Sequence, residues 1–307
     1  MSGYARTSLL LRPTAMAQRC ARHLEVECVE PRSADLAGTR TVPDPVPDDL
    51  SDHPPDRPTA VTPLLSTSGL TKVFGGFTAV NDVDLVVAEG AIHALVGPNG
   101  AGKTTLFNLL TGFLSPTSGT VRLGDRDVTG LPPERMAHLG VARSFQIASL
   151  FDQLTSREHL ELALQSLTGR GRVFWRSEVQ MHRFSGRALE LLDEVGLADQ
   201  ADQPAGTLAY GRKRALELAL ALALDPRLLL LDEPTAGMGI EDISRTIDLV
   251  RRVAAGRTVV LVDHNMDVVG ALADRVTVLQ QGQILAEGPY EQVRQDPRVI
   301  TAYLGED

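Results

Sequence analysis

The stretch Gly97-Pro98-Asn99-Gly100-Ala101-Gly102-Lys103-Thr104 constrains this chain more than any other, because it satisfies G-x-x-x-x-G-K-[ST] directly after the apolar run Ala91-Ile92-His93-Ala94-Leu95-Val96. A backbone that curls so that successive N–H groups point inward needs glycine at its bends and suits a polyphosphate. The run before it reads as a strand and Leu106-Phe107-Asn108-Leu109-Leu110 after it as a helix, so the chain opens its core as strand, loop, helix. In that setting Lys103 would reach the β- and γ-phosphates of a nucleotide and Thr104 would hold Mg²⁺, with Thr105 completing the cradle.

Many chemistries share such a loop, and the rest of the chain narrows them. Leu228-Leu229-Leu230-Leu231 ends in Asp232-Glu233-Pro234, the pattern of a buried parallel strand whose C-terminal tip faces a ligand crevice. There Asp232 would contact the metal shell and Glu233 would polarise an attacking water. A second β-rich run, Thr258–Val262, ends at Asp263-His264 and puts an imidazole at another strand tip, where it could donate to the γ-phosphate. Taken alone, a histidine after a strand is an ordinary surface or core residue.

The order of these motifs resembles an ATP-binding cassette (ABC) ATPase: phosphate loop, then Gln146 in Ala142-Arg143-Ser144-Phe145-Gln146, then Leu208-Ala209-Tyr210-Gly211, Asp232-Glu233 and His264. Within that superfamily, Leu208–Gly211, Asp263-His264-Asn265-Met266 and the ending Ala302-Tyr303-Leu304-Gly305-Glu306 are similar to the ATPase subunit of branched-chain amino acid importers. The resemblance implies an α/β P-loop NTPase fold of ABC type, with an N-terminal antiparallel β portion around residues 66–90, a mostly parallel sheet and a helical subdomain near 147–214. It implies ATP and Mg²⁺ as ligands, with Glu233, His264 and Gln146 as catalytic residues and Thr104, Gln146 and Asp232 around the metal. Phe74 is the candidate for stacking on adenine. Leu208, Ala209, Tyr210 and Gly211 would face the γ-phosphate held by the opposite subunit, so the site would need two chains.

Three positions depart from the usual family pattern. Ala209 stands where serine is common, Arg212 where glutamine is common, and Gly239 where the loop after Pro234 usually ends in Asp or Asn. Arg212 would add charge beside the neighbouring subunit's phosphates, and Gly239 would weaken communication across the interface. A nucleotide-binding regulatory subunit with weak hydrolysis is therefore the alternative reading.

Composition sets outer limits. The 307 residues are 43% hydrophobic, enough for one sizeable α/β core, and no run approaches the length of a membrane span. Membrane work would thus pass through partners: transmembrane permease subunits received near Gln146 through Phe151, a second ABC ATPase subunit in a homo- or heterodimer, and indirectly an extracytoplasmic solute-binding protein. The expected location is peripheral, on the cytoplasmic face of the cell membrane. A net charge of −9 argues against nucleic acid as a partner. Cys20 and Cys28 are too few for a disulfide framework or metal site. Residues 1–65 interleave prolines with aspartates between Pro43 and Pro63, a composition expected to stay disordered; residues 66–307 form the expected ATPase domain.

Overall fold

Strands with alternating burial and strands buried throughout demand different surroundings, and the computed structural model, which describes residues 62–144, 150–167 and 184–304, places them in separate sheets. β1 (Pro63–Phe74), β2 (Phe77–Val83) and β3 (Val86–Ala88) come first. β4 (Ile92–Val96) enters the phosphate loop and α1 (Lys103–Leu110) leaves it. β5 (Ser118–Leu123) and β6 (Arg126–Asp127) then return to β1, giving an antiparallel sheet of order β2-β1-β5-β6 with β3 also on β1.

The antiparallel portion therefore continues to Asp127, well past the 66–90 read from sequence. In β5 only Val121 is buried, so the segment carries too little apolar pattern to announce a strand.

The second sheet and the helices around it draw on α2 (Pro133–His138), β7 (Val141–Arg143), α3 (Ser156–Leu167), α4 (Ser185–Glu194), α5 (Tyr210–Leu222), β8 (Leu228–Asp232), α6 (Ile240–Ala254) and β9 (Thr258–Val262). They are completed by α7 (Met266–Leu272), β10 (Arg275–Gln280), β11 (Gln283–Gly288), α8 (Tyr290–Arg294) and α9 (Pro297–Leu304). Strand order is β11-β10-β4-β9-β8-β7, parallel apart from the β10–β11 hairpin.

The two-residue period of a strand divides the core in two. Leu229, Leu231, Val259 and Leu261 join Leu160, Leu191, Leu192, Leu216, Val250 and Val268 on the helical face. Leu228, Leu230, Val260 and Val262 join Leu106, Phe107, Leu110 and, from the antiparallel sheet, Leu65, Val80 and Val87. One side of the parallel sheet thus faces the helical core, in which α3 and α4 pack on each other and on α5, and the other side faces α1 and the antiparallel sheet.

The sequence spaces Leu160, Leu164 and Leu167 as one helical face and Leu189, Leu192 and Val195 as another, and the structure departs from both. Leu160 is buried, but Leu167 is 45% exposed; in α4 Leu189 is 40% exposed. The buried stripe there is Ala188, Leu191, Leu192 and Val195, the i, i+3, i+4, i+7 set. A small alanine at the head of that stripe hides it from a search for leucines.

Candidate functional site

Strand order brings the candidate motifs to one edge. β4, β9, β8 and β7 are parallel neighbours, so the phosphate loop, Asp263-His264, Asp232-Glu233 and the chain leading toward Gln146 all emerge at their C-terminal ends. Gln146 itself lies outside the described residues, as do residues 1–61 of the N-terminal stretch.

Glycine is required in the loop for space as well as for torsion. Gly97 (φ 148°) and Gly102 (φ 98°) lie where a Cβ would fall 2.2 Å from the Leu279 carbonyl oxygen and 2.4 Å from that of Ala79. The loop is fastened from outside by Gly282 N donating to Ala101 O at 3.0 Å and Asn81 N to Gly282 O at 2.8 Å. Gly102 caps α1, whose ladder begins with Leu106 N to Gly102 O; the amides of Thr104 and Thr105 precede that ladder, at the positive end of the helix. Lys103 Nζ donates to Gly97 O at 2.6 Å and Pro98 O at 2.8 Å, arching over the loop. Pro98, Asn99, Gly100 and Ala101 form the turn between.

Asp232, 7% exposed, ends β8. Arg143 Nη2 meets its Oδ2 at 2.6 Å, Arg143 Nη1 donates to Asn108 Oδ1 at 2.6 Å, and the guanidinium lies 4.8 Å from the Phe107 ring centroid and 5.4 Å from that of Phe113. Glu233 turns sharply out of the strand at φ 46°, its N–H bonded to Val262 O at 2.7 Å. A left-handed torsion on a residue with a Cβ is strain of the kind found at working sites.

Asp263 is fully buried, accepting from Thr235 Oγ1 at 2.7 Å on one oxygen and from Asn265 N at 2.9 Å on the other. His264, its side chain 68% exposed, has Nδ1 3.9 Å from Asp263 Oδ1. Thr235 follows Glu233 by two residues and Asp263 precedes His264, so one buried hydrogen bond ties the two strand-tip loops together.

Phe74 and Phe77 face one another across the β1–β2 hairpin and are 43% and 67% exposed. Directly opposed residues share a face, so the hairpin offers two rings where sequence offered one. The backbone of β2 backs onto the phosphate loop at Ala79 and Gly102.

Leu208 is buried, and Ala209 is the N-cap of α5 without a capping side chain. Tyr210 donates to Ala236 O at 3.1 Å, and Gly211 lies beside Asp242. This segment therefore packs on the loop after Glu233 within its own chain. Arg212 donates to the Gly196 carbonyl just past the C-terminus of α4, where a cation suits the helix dipole. Its guanidinium thus has a partner within the chain at the end of α4. At Gly239 a Cβ would meet open space, so its missing side chain is not forced by sterics.

The donor set suits a magnesium ion shared with phosphates: a threonine hydroxyl and a carboxylate, both hard oxygens, beside a loop that leaves no room for a Cβ at Gly97 or Gly102. Among the described residues no group of three or more His, Cys, Asp or Glu could hold a metal unaided. Sequence reasoning gave no part to Arg143, Asn108, Thr235, Asp263 or Phe77; a charged residue closing the buried strand Val141–Arg143 is the signal that could have found the first.

Residues 80–236 match the ABC transporter family, and residues 283–307 match the branched-chain amino acid ATP-binding cassette transporter family. The high-affinity branched-chain amino acid transport ATP-binding protein BraF of Pseudomonas aeruginosa is 42% identical over 254 residues, covering 80% of this chain and 98% of that protein. An ATP-binding cassette of an ABC transporter solved in its ADP conformation superposes with a TM-score of 0.71 at 31% identity, over 80% of this chain and 99% of the other. A dimeric cassette in a post-hydrolysis state with ADP and Pi does so with a TM-score of 0.61 at 25% identity, over 74% and 98%.

Proposed function

Because the chain belongs to the ABC transporter ATP-binding family, in its branched-chain amino acid branch, we propose that it hydrolyses ATP to drive import of branched-chain amino acids or a related small polar solute. The observation that carries this is the single sheet edge where the phosphate loop, Asp232-Glu233 and His264 emerge side by side from β4, β8 and β9.

The chain is an ATPase that binds nucleotide, and its residues divide the work as follows. Backbone N–H groups of the loop and the start of α1 take the phosphates, and Lys103 swings from the Gly97 and Pro98 carbonyls to the β- and γ-phosphates. Phe74, with Phe77 beside it, stacks on the adenine. Thr104 and Asp232 hold Mg²⁺, joined by Gln146, and the ion supplies neutralisation of phosphate charge. Glu233 polarises the water that attacks the γ-phosphorus in line, so that ADP and phosphate leave. His264, carried on the loop pinned by Asp263, donates to the γ-phosphate.

The second half of the site comes from another ATPase subunit, whose residues 208–211 meet the γ-phosphate; the dimeric ADP–Pi relative and the exposed Tyr210 support this arrangement. No described helix is long and apolar enough to cross a membrane, and transport passes through permease chains docked near Gln146 to Phe151, from a peripheral position on the cytoplasmic face. An extracytoplasmic binding protein delivers the solute. Residues 66–307 are the ATPase domain, with 147–214 as its helical part, of which 147–149 and 168–183 lie outside the described residues.

The test is co-purification with the permease followed by uptake into proteoliposomes with leucine, urea and an amide as competing solutes. Uptake of leucine that requires ATP, is lost in Glu233→Gln with nucleotide binding retained, and is lost with binding in Lys103→Ala is the expected result. Near-normal hydrolysis by Glu233→Gln removes that residue from its role, and uptake of urea alone moves the solute assignment.

A further inference from the structure

Arg143 joins three elements that the reaction must keep in register. It ends β7 opposite Leu230 of β8, and Asp232, two residues on, lies on the same strand face. Its other partners, Asn108 and Phe107, stand one helical turn after Thr104 and Lys103 on α1. The same arginine precedes Gln146 by three residues. One guanidinium therefore touches the helix that starts with Lys103 and Thr104, touches the carboxylate at the tip of β8, and belongs to the strand that leads to Gln146.

The pair is poorly explained as a stabilising device. Side-chain exposures are 14% for Arg143 and 9% for Asp232, and Arg143 Nε is buried without a hydrogen bond among the described residues. Buried ion pairs with an unsatisfied donor are no better for stability than apolar packing, and Phe107 and Phe113 already supply apolar neighbours. What the pair does achieve is directional: a planar fork bound at both Nη atoms fixes the rotation of the Asp232 carboxylate and commits Oδ2, so that Oδ1 is the oxygen a metal or its water would meet.

We propose that Arg143 is a positioning residue for hydrolysis, holding Asp232 Oδ2 against Asn108 and thereby setting both the orientation of the carboxylate and the affinity of the site for a divalent cation bound with nucleotide. This rests on the reading of Asp232 as the carboxylate beside the metal. A permanent positive charge on that carboxylate opposes the cation while keeping the ligand in place; the chain gives up cation affinity for geometry.

Mn²⁺ in place of Mg²⁺, with ADP, measures cation affinity at equilibrium and without turnover, the free ion being read by electron paramagnetic resonance. Arg143→Gln removes the competing charge, so Mn²⁺ binds about fivefold more tightly, while kcat for ATP falls about tenfold because the carboxylate is no longer held. Arg143→Lys keeps the charge without the fork. Its Mn²⁺ affinity stays within about twofold of the parent, while kcat again falls about tenfold and KM for ATP changes little.

Unchanged or weaker Mn²⁺ affinity in Arg143→Gln overturns the proposal, as does parental kcat in Arg143→Lys. A fall in thermal midpoint with cation affinity and kcat unseparated also overturns it, since that is what a merely structural arginine would give. Should Arg143→Gln fail to fold, the kcat and affinity of Arg143→Lys decide. Asp232→Asn isolates the underlying reading: parental Mn²⁺ affinity in that variant takes Asp232 away from the metal, whereas loss of affinity there with silent Arg143 variants refutes only the role of Arg143.

Discussion

Replacing Thr235 by valine isolates the bond that ties the Glu233 loop to the His264 loop. Thr235 is 5% exposed and Asp263 not at all, and the hydroxyl donates to Asp263 Oδ2 at 2.7 Å. Valine occupies nearly the same volume, so packing is kept and the main loss is one donor to a buried carboxylate. Hydrogen bonds to charged groups contribute roughly 1.5–3 kcal/mol, and a stranded acceptor keeps its desolvation cost. The remaining backbone donor, Asn265 N at 2.9 Å, softens the effect, so a loss of about 2 kcal/mol is expected. For a domain of this size that lowers the thermal midpoint by roughly 4–8 °C. Urea unfolding of the parent, Thr235→Val and Thr235→Ser measures it, with serine returning most of the loss because it restores the hydroxyl. Turnover should fall in the valine variant while nucleotide affinity holds, since Lys103 and the phosphate loop are untouched. A valine variant within about 0.5 kcal/mol of the parent, or a serine variant as weak as valine, refutes the reasoning.

Three further predictions concern other parts of the chain. Glu233→Ala and Glu233→Gly lose the same carboxylate, but only glycine relieves a left-handed torsion costing about 1–2 kcal/mol at an entropic cost of about 0.5–1 kcal/mol, so both should be inactive with the glycine variant the more stable; an alanine variant as stable in denaturant as the glycine variant would show the torsion is unstrained. His93 is buried in β4 with Nε2 2.8 Å from Thr277 Oγ1, and burial lowers its pKa from 6.5 to about 4. The unfolded chain takes up this proton first as pH falls, so stability is full above about pH 6.5 and drops by roughly 3 kcal/mol toward pH 4; an acid-unfolding slope identical in His93→Gln would count against it. Removing residues 1–61, which lie outside the described residues, should leave turnover unchanged and the thermal midpoint within about 2 °C, equivalent to under about 1 kcal/mol, and a larger drop in calorimetry would show that the segment docks.

Much of the site was legible in the sequence because its backbone requirements are local. A loop that wraps phosphate must place glycines where φ is positive and where Leu279 and Ala79 press on it, and those glycines stand within a few residues of the lysine they serve. A carboxylate pair at a strand tip follows a run of leucines buried on both faces, and β8 and β9 are buried at every position as those runs imply. The family resemblance likewise rests on short consecutive motifs read in order.

The tertiary structure alone decided which distant side chains meet. Arg143 and Asp232 are 89 residues apart and Thr235 and Asp263 are 28 apart, yet each pair forms one hydrogen bond because β7, β8 and β9 are adjacent in the sheet. Strand order is a property of how the whole core closes, and no local window of sequence encodes it. The same holds for Arg212, which reaches the Gly196 carbonyl past the end of α4, and for Leu189, left exposed while Ala188 is buried. Local chemistry determined the loop, the carboxylates and the family; packing determined which arginine holds the carboxylate and which threonine holds the loop beside it.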